Sequence, residues 1–182
     1  MDVTDDARIV EQVLAGDQSA YAALVTRYQD TVYSVAYRLC ANHSDAADMA
    51  QDAFITAFRK LHQYKHEYTF GQWVIGICSN RTRNLFRSRW RRQQTEQRHY
   101  EDACEDPLVT HRSEQQNEEV AAALAQLPVK FRLAVTLRHI EDYSYEDIAR
   151  MLRIGISAVK MRVKRGLVAM EQILKEERKE TP

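Results

Sequence analysis

The fold follows from residues 143–174, which read YSYEDIARMLRIGISAVKMRVKRGLVAMEQIL. Ser144 can cap the free amides of a helix, and Asp147 lies three positions later, as in a capping box. The resulting helix is predicted to run from about residue 145 to residue 152. Gly155 then interrupts the helical period, and because glycine tolerates positive φ, a tight turn is predicted there.

A second helix is predicted after this turn, with Ser157 as its N-cap. At about 100° per residue an apolar side and a basic side separate along it. The apolar side comprises Val159, Val163, Gly166, Leu167 and Met170, and the opposite side comprises Met161, Lys164, Arg165 and Val168, flanked by Lys160. Residues 148–170 contain six lysines or arginines and no acid, whereas solvated faces usually mix both signs. The pattern indicates a helix-turn-helix that enters the major groove of DNA, with an ordinary helical hairpin as the alternative.

Composition and charge favour a helical protein whose charges are segregated along the chain. Only five of the 182 residues are glycine and three are proline, which favours an all-α fold. The formal net charge is zero, but residues 81–92 contain six arginines and no acid, whereas residues 93–119 contain eight acids and two arginines. Local fields, rather than the net charge, are therefore expected to select partners.

The three cysteines are Cys40, Cys78 and Cys104, and their spacing indicates neither a disulfide framework nor a zinc site. We expect reduced, buried thiols and no metal or other cofactor. No apolar run approaches the length of a membrane span, and the acidic N-terminus is unlike a signal peptide. The expected location is the cytoplasm.

The first half of the chain is predicted to contain four helices. The first covers residues 8–15 and ends at Gly16. The second begins near Ser19, is mostly buried, and ends at Asn42-His43, where the period breaks.

The third helix is capped by Ser44 or Asp45 and runs to Leu61. Its inner face is predicted to be Ala47, Ala50, Phe54, Ala57, Phe58 and Leu61, and its outer face Asp48, Gln51, Asp52, Ile55 and Arg59. The outer face is either a solvated surface or a binding surface for a protein, and periodicity alone favours the first. Paired carboxylates at Asp48 and Asp52 could hold a metal, but no third ligand or base accompanies them at a useful spacing, so an enzyme is not expected.

The fourth helix begins near Phe70 and enters the arginine-rich tract. Its inner side is predicted to be Trp73, Val74, Ile77, Arg81 and Leu85, and an adjacent stripe is formed by Gly76, Asn80, Arg83 and Arg87. Such a stripe suits DNA, because arginine neutralises phosphates, asparagine pairs with base edges and glycine permits close approach. Nearby aromatic rings, namely Tyr64, Tyr68, Phe70 and Trp73, can stack on unpaired bases, although aromatics at helical spacing more often belong to a core.

These patterns divide the chain into two small helical domains. Residues 93–116 lose the helical period, gain charge and contain Pro107, so they are predicted to be a flexible acidic linker. The first domain then covers residues 1–92. The second covers residues 117–182 and contains about four short helices.

Three motifs in this order resemble those of the extracytoplasmic-function sigma factors, a group within the sigma-70 family of RNA polymerase subunits. The motifs are DAADMAQDAFITAFRKL at 45–61, the helix from Trp73 to Leu85 with Asn80, and YSYEDIARMLRIGISAVKMRVKR at 143–165. The resemblance covers most of the chain, from about residue 16 to residue 174. It implies a two-domain, all-α transcription initiation factor that binds core RNA polymerase and directs it to promoters.

By this resemblance, the first domain is similar to sigma region 2. The outer face of 45–61 is then expected to bind the clamp coiled coil of polymerase, through Asp48, Gln51, Asp52, Ile55 and Arg59. The loop 63–69 and the fourth helix are expected to read and help open the minus-ten element, through Tyr64, Lys65, Trp73, Asn80, Arg83 and Arg87.

The second domain is similar to sigma region 4, which contacts the polymerase flap. It is expected to read the minus-thirty-five element through Arg138, Ser157, Ala158, Lys160, Met161, Lys164 and Arg165. Ala158 stands where the family commonly has threonine, Met161 where it often has serine and Gly155 where proline is frequent. These departures leave the promoter bases undefined.

The resemblance also implies an anti-sigma protein as a further partner, to which the exposed apolar Ile55 is suited. The alternative function is a free-standing helix-turn-helix regulator that binds a symmetric duplex site without polymerase, usually as a dimer. That reading gives the first domain no role, which counts against it.

Overall fold

A computed structural model describes the backbone of residues 3–96 and 115–180, and the side chains of residues 5–88 and 119–176. Within these ranges every regular element is helical, which confirms the all-α prediction. The helices are α1 (Val3–Leu14), α2 (Tyr21–Cys40), α3 (His43–Arg59), α4 (Phe70–Glu96), α5 (Gln115–Gln126), α6 (Val129–Val135), α7 (Tyr145–Leu152) and α8 (Ile156–Glu180). Short 3₁₀ turns cover Gln18–Ala20 and Leu61–Gln63, and a π-helical turn covers Thr136–Ile140. The predicted linker 93–116 lies largely outside the described residues. Its described ends are helical, since residues 93–96 continue α4 and residues 115–116 begin α5.

Helices α1 to α4 form the first domain, in which α2, α3 and α4 pack against one another. The centre consists of fully buried aliphatic side chains, among them Leu24, Val32, Leu39, Val74 and Ile75. Burial of apolar surface is the main stabilising contribution in such a core.

Helix ends in this domain depend on side chains that the sequence pattern did not single out. Asp17 caps the turn before α2, since its Oδ1 accepts from the amide of Ser19 at 3.1 Å. Asn42 caps α3 by accepting from the amide of Asp45 at 3.0 Å, so the predicted caps at Ser44 or Asp45 were wrong. Gly16 does end the first helical segment, with a φ of 114° that favours glycine.

The inner face of α3 is rotated slightly from its predicted position. Ala46 and Ala53 are buried, whereas Ala47 and Phe58, both predicted to face inward, are exposed, the latter by 37%. The predicted outer residues Gln51 and Ile55 are indeed exposed. Helix α3 packs against both α2 and α4, and the position of these neighbours, which periodicity alone does not reveal, decides which of its side chains are buried.

The second domain begins at α5 and contains the predicted helix-turn-helix as α7 and α8. The hydroxyl of Ser144 accepts from the amide of Asp147 at 3.0 Å, which confirms the predicted cap of α7. The predicted turn lies between α7 and α8, and its left-handed residue is Arg153, with a φ of 52°, rather than Gly155. Because α8 already begins at Ile156, the predicted cap Ser157 lies inside its first turn.

Helix α8 packs through a narrower apolar stripe than the pattern predicted. Val159, Val163 and Gly166 are buried as predicted, but Leu167 is 41% exposed. A Cβ at Gly166 would lie 2.5 Å from a methyl of Val135, so glycine lets α6 and α8 come into close contact.

The two domains share one hydrophobic core. Leu133, Leu137 and Ile148 of the second domain belong to the same buried cluster as the core of the first. The buried guanidinium of Arg132 crosses this boundary: it donates to the carbonyl of Leu39, at the end of α2, at 2.6 Å. Its other acceptors are the carbonyls at the end of α5, Ala125 and Leu127. A cation at two helix C-termini compensates carbonyls that the helices cannot pair themselves.

We expect Arg132→Met to lower the free energy of unfolding by about 2–4 kcal/mol, because methionine retains the aliphatic stem but leaves buried carbonyls without their donor. Urea unfolding followed by circular dichroism measures this. The control is Arg165→Met at an exposed position, for which a change within about 0.5 kcal/mol is expected. Equal unfolding midpoints for the two variants would contradict the role of Arg132.

Candidate nucleic-acid and protein interfaces

The basic face of α8 is exposed from Ser157 to Arg165. Buried Val159 and Val163 anchor the helix to α7 and α6, and this directs the opposite side outward. All six α8 residues predicted to read DNA are exposed, namely Ser157, Ala158, Lys160, Met161, Lys164 and Arg165. The exposed side of the helix therefore carries three cations, Lys160, Lys164 and Arg165.

Arg138 joins this basic face through an aromatic ring. Its guanidinium lies 5.2 Å from the ring centre of Tyr145, and the ammonium of Lys160 lies 5.6 Å from the same ring. Arg138 also donates to the carboxylate of Asp142 and to the carbonyl of Tyr143, both at 3.1 Å. These contacts fix the guanidinium of Arg138 and place it on the same aromatic ring as Lys160 of α8.

The predicted stripe on α4 is partly accessible. Arg83 and Arg87 are exposed, and Asn80 is half-buried and accepts from Arg83 through its side-chain oxygen at 2.8 Å. The loop before α4 exposes Lys65. The stripe on α4 thus presents two cations and one amide, and the loop before it adds a third cation.

Tyr64 and Trp73 lie inside the core, which leaves their rings no free face for a base in this conformation. Their exposed fractions are 6% and 8%, and their ring centres are 5.3 Å apart. Tyr64 also packs edge-on against Phe70 and donates from its hydroxyl to the carbonyl of Tyr68 at 2.5 Å. Burial raises the pKa of Tyr64, so the hydroxyl remains protonated as a donor. The structure gives both rings the core position that aromatics at helical spacing more often take.

On α3, four of the five predicted polymerase-binding residues are exposed: Asp48, Gln51, Ile55 and Arg59. The fifth, Asp52, is half-buried and is paired with Arg81 of α4 at 2.6 Å. Arg81 also donates to the hydroxyl of Thr56 at 3.0 Å. Asp52 therefore joins α3 to α4 as well as lying on the outer face.

An apolar groove between α2 and α3 extends this outer face. It has a volume of about 770 Å³ and is lined by, among others, Tyr21, Val25, Tyr33, Phe54, Ile55 and Phe58. Tyr21 stabilises its wall by donating from its hydroxyl to the carbonyl of Phe54 at 2.8 Å. The sequence pattern missed the groove, because the α2 side chains were assigned to the core and the rotation of α3 was not foreseen.

The stripe on α4 is covered in part by the helix-turn-helix domain. A Cβ at Gly76 would lie 2.8 Å from the carbonyl oxygen of Met151 in α7. Arg150 of α7 approaches the loop before α4, with 3.4 Å between Nη1 and the carbonyl oxygen of Glu67. The space beside Gly76, which the sequence pattern assigned to DNA, is therefore filled by the backbone of α7.

Cys78 is fully buried, and burial raises the pKa of its thiol to about 12, so the thiolate is scarcely populated at neutral pH. Cys40 is half-buried, and Cys104 lies outside the described residues.

Among residues 5–88 and 119–176, no group of three His, Cys, Asp or Glu side chains could hold a metal ion. None of the described helices combines the length and apolarity needed to cross a membrane.

Comparison with known proteins assigns both halves of the chain. The family model of Sigma-70 region 2 matches residues 24–92, and that of Sigma-70 region 4 matches residues 117–170. The RNA polymerase sigma-H factor of Pseudomonas aeruginosa is 31% identical over 180 residues, which cover 93% of each chain. The ECF RNA polymerase sigma-E factor of Haemophilus influenzae is 32% identical, with 93% of this chain and 94% of that protein covered.

Solved structures show the same fold. The sigma factor RpoE in complex with the anti-sigma factor NepR from Bartonella quintana matches with a TM-score of 0.71 and 22% identity, over 85% of this chain and 96% of that one. CnrH in complex with the cytosolic domain of CnrY matches with a TM-score of 0.69 and 23% identity, over 96% and 99% of the two chains.

A helical domain with an arginine-rich helix, followed by a helix-turn-helix domain matching region 4, defines a sigma factor. The chain belongs to the sigma-70 family and, within it, to the ECF RNA polymerase sigma factors. It is therefore a transcription initiation factor that associates with core RNA polymerase and directs it to promoters. The free-standing regulator is not favoured, because both sigma regions match in order along one chain.

We expect Gly76→Ala to weaken the contact between the domains, because the added methyl would meet a backbone carbonyl that cannot rotate away. The measurements are the radius of gyration by small-angle scattering, which should increase, and the free energy of unfolding, which should fall. Without the close contact, alanine would instead stabilise α4 by up to about 1 kcal/mol. The control is Gly155→Ala, since no atom lies within 4 Å of a Cβ there.

Proposed function

We propose that the chain reads the minus-thirty-five element with α8, contacts the minus-ten element with α4 and its preceding loop, and binds the polymerase clamp coiled coil with α3. The observation that carries this proposal is the match of both sigma-70 regions, in order, to the domains that present these surfaces. We assign the two domains to residues 1–92 and 117–182, with residues 93–116 as the linker.

The minus-thirty-five surface consists of the exposed α8 residues with Arg138 at its edge. Lys164 and Arg165 are the side chains best suited to bases and phosphates, because lysine and arginine provide several donors and neutralise charge. Met161 is 49% exposed and offers an apolar contact, which suits a thymine methyl.

The minus-ten surface consists of Lys65, Asn80, Arg83 and Arg87, supported from within by Tyr64 and Trp73. Full use of this surface requires α4 to separate from α7, because the carbonyl of Met151 covers Gly76. Binding of polymerase at two distant points, the clamp and the flap, supplies free energy for that separation.

The polymerase surface consists of Asp48, Gln51, Asp52, Ile55 and Arg59 together with the adjoining groove. An apolar groove flanked by charged side chains is typical of a protein interface, in which the apolar part contributes affinity and the charges select the partner.

The protein thus acts as an adaptor with no catalytic group of its own, and it works in the cytoplasm, where polymerase is found. Each DNA-binding surface is small and largely electrostatic, so binding by the free chain is expected to be weak and sensitive to salt. Polymerase fixes the separation of the two surfaces, and this converts two weak contacts into one strong one.

An anti-sigma protein is the second protein partner that we propose. Bartonella RpoE was solved with the anti-sigma factor NepR, and CnrH with the cytosolic domain of CnrY. The groove between α2 and α3 suits an apolar helix of such a partner, which would compete with polymerase for the outer face of α3.

Run-off transcription with purified bacterial core polymerase and a pool of promoter fragments tests the proposed function. Transcripts that appear only when the protein is added are the expected result, and their start sites define the promoter. Binding of a duplex site by the protein alone, without any transcript, would instead support a free-standing regulator.

Two variants separate the surfaces. Replacing Lys164 and Arg165 together by alanine should reduce transcription from promoters that depend on the upstream element by about tenfold or more, with polymerase binding unchanged. Ile55→Arg should weaken polymerase binding and leave binding of upstream DNA unchanged. Ile55 is chosen over Asp52 because a change at Asp52 also removes the pair with Arg81. If the alanine pair lost polymerase binding, the assignment of the α8 face would be wrong.

A further inference from the structure

A fully buried carboxylate in α1 contacts the start of α4. Asp6 has an exposed fraction of 0%, and its Oδ2 accepts from the backbone amide of Phe70 at 3.0 Å and from the hydroxyl of Tyr28 at 2.6 Å. Its Oδ1 accepts from Arg27 at 2.7 Å. A buried carboxylate with three donors is fully compensated, and the bond to Phe70 joins segments 64 residues apart.

The amide of Phe70 needs such a partner because it is the first of α4. Thr69 and Gln72 form a reciprocal capping box, in which the Thr69 hydroxyl accepts from the Gln72 amide at 3.2 Å and the Gln72 side chain accepts from the Thr69 amide at 3.0 Å. This box leaves the Phe70 amide without a partner inside the helix. The negative charge of Asp6 also lies at the positive end of the α4 dipole, where it is favourable.

Gly71 makes this contact possible. A Cβ at that position would lie 2.5 Å from the ring of Tyr28, so the ring lies across the first turn of α4 only because residue 71 has no side chain. The ring orients the Tyr28 hydroxyl toward Asp6, and burial raises the pKa of Tyr28, which keeps this donor protonated.

The conformation of the loop that precedes α4 also depends on the position of Phe70. Phe70 packs against both Tyr64 and Trp73, with ring centres 5.9 Å apart in each case, and Tyr64 is bound to the Tyr68 carbonyl. Lys65 is exposed at the tip of the loop that these rings support. A shift of the Phe70 backbone would therefore displace the loop.

We propose that Asp6 is a positioning residue for promoter recognition: it fixes the first turn of α4 and thereby the loop 63–69 and the DNA-facing stripe of α4. The proposal rests on the proposed minus-ten role of this surface. Asp6 and the whole of α1 precede residue 24, where the match to Sigma-70 region 2 begins. The N-terminal helix accordingly contributes to sequence discrimination without contacting DNA.

Asp6→Asn is the test variant, because asparagine keeps the shape but presents an NH₂ group where one carboxylate oxygen accepted. Asp5→Asn is the matched control: it removes the same charge one residue away, and Asp5 pairs with Arg8 at 3.0 Å and Arg27 at 2.5 Å on the surface. Transcription is measured from a promoter identified by run-off and from the same promoter with single-base changes in its minus-ten element.

The readout is the ratio of transcription between the matched and the substituted promoters. For Asp6→Asn we expect this ratio to fall by up to about tenfold, the effect of one charge-assisted hydrogen bond, with the ratio unchanged for Asp5→Asn. A purely structural role would lower both transcripts equally and leave the ratio intact, and that outcome would overturn the proposal.

A second readout does not depend on polymerase. Trypsin cleavage after Lys65 should accelerate in Asp6→Asn and, to a smaller extent, in Tyr28→Phe, which removes a single donor and serves if the asparagine variant does not fold. Unchanged cleavage in both would overturn the proposal. If the wild-type chain directs no transcription, the proposed function fails. The rate of trypsin cleavage after Lys65 then still shows whether Asp6 holds the loop.

Discussion

The attachment of the α4 N-terminus is the constraint on which the first domain depends. Helix α4 contacts α1, α2 and α3 in its own domain and α6 and α7 in the other, so its position sets the placement of both surfaces that we propose to bind DNA. A helix cannot satisfy its own first amides, and here the amide of Phe70 is satisfied by a carboxylate from α1. The buried charge of Asp6 is tolerable because Arg27 and Tyr28 compensate it.

A second buried charge has the complementary role at the domain boundary. Arg132 donates to carbonyls at the ends of two helices, one of them in the other domain. Together with the close approach at Gly76, this contact makes the domains parts of one core. As a consequence, the two surfaces differ in their exposure to solvent: the basic face of α8 is exposed, whereas the stripe of α4 is partly covered by α7.

The predictions that are confirmed concern features that a single helix determines by itself. The cap at Ser144, the buried side of α8 at Val159 and Val163, and the exposed outer face of α3 follow from local periodicity and capping chemistry. The predictions that are wrong concern features that depend on a neighbouring element. Phe58 turned outward, because the packing of α3 on α2 and α4 decides which of its side chains are buried. The structure also places the left-handed residue of the α7–α8 turn at Arg153 rather than Gly155.

The sequence by itself determined the helical class, the order of the motifs and the sign of charge on each surface, because these depend on residue type and spacing within single helices. Only the tertiary structure decided that Asp6 reaches Phe70, that Asp52 pairs with Arg81, that Tyr64 lies in the core and that Met151 covers Gly76. The three pairs join residues more than twenty positions apart, and the burial of Tyr64 depends on the packing of separate elements. No periodicity encodes them, because they arise from the way whole helices pack.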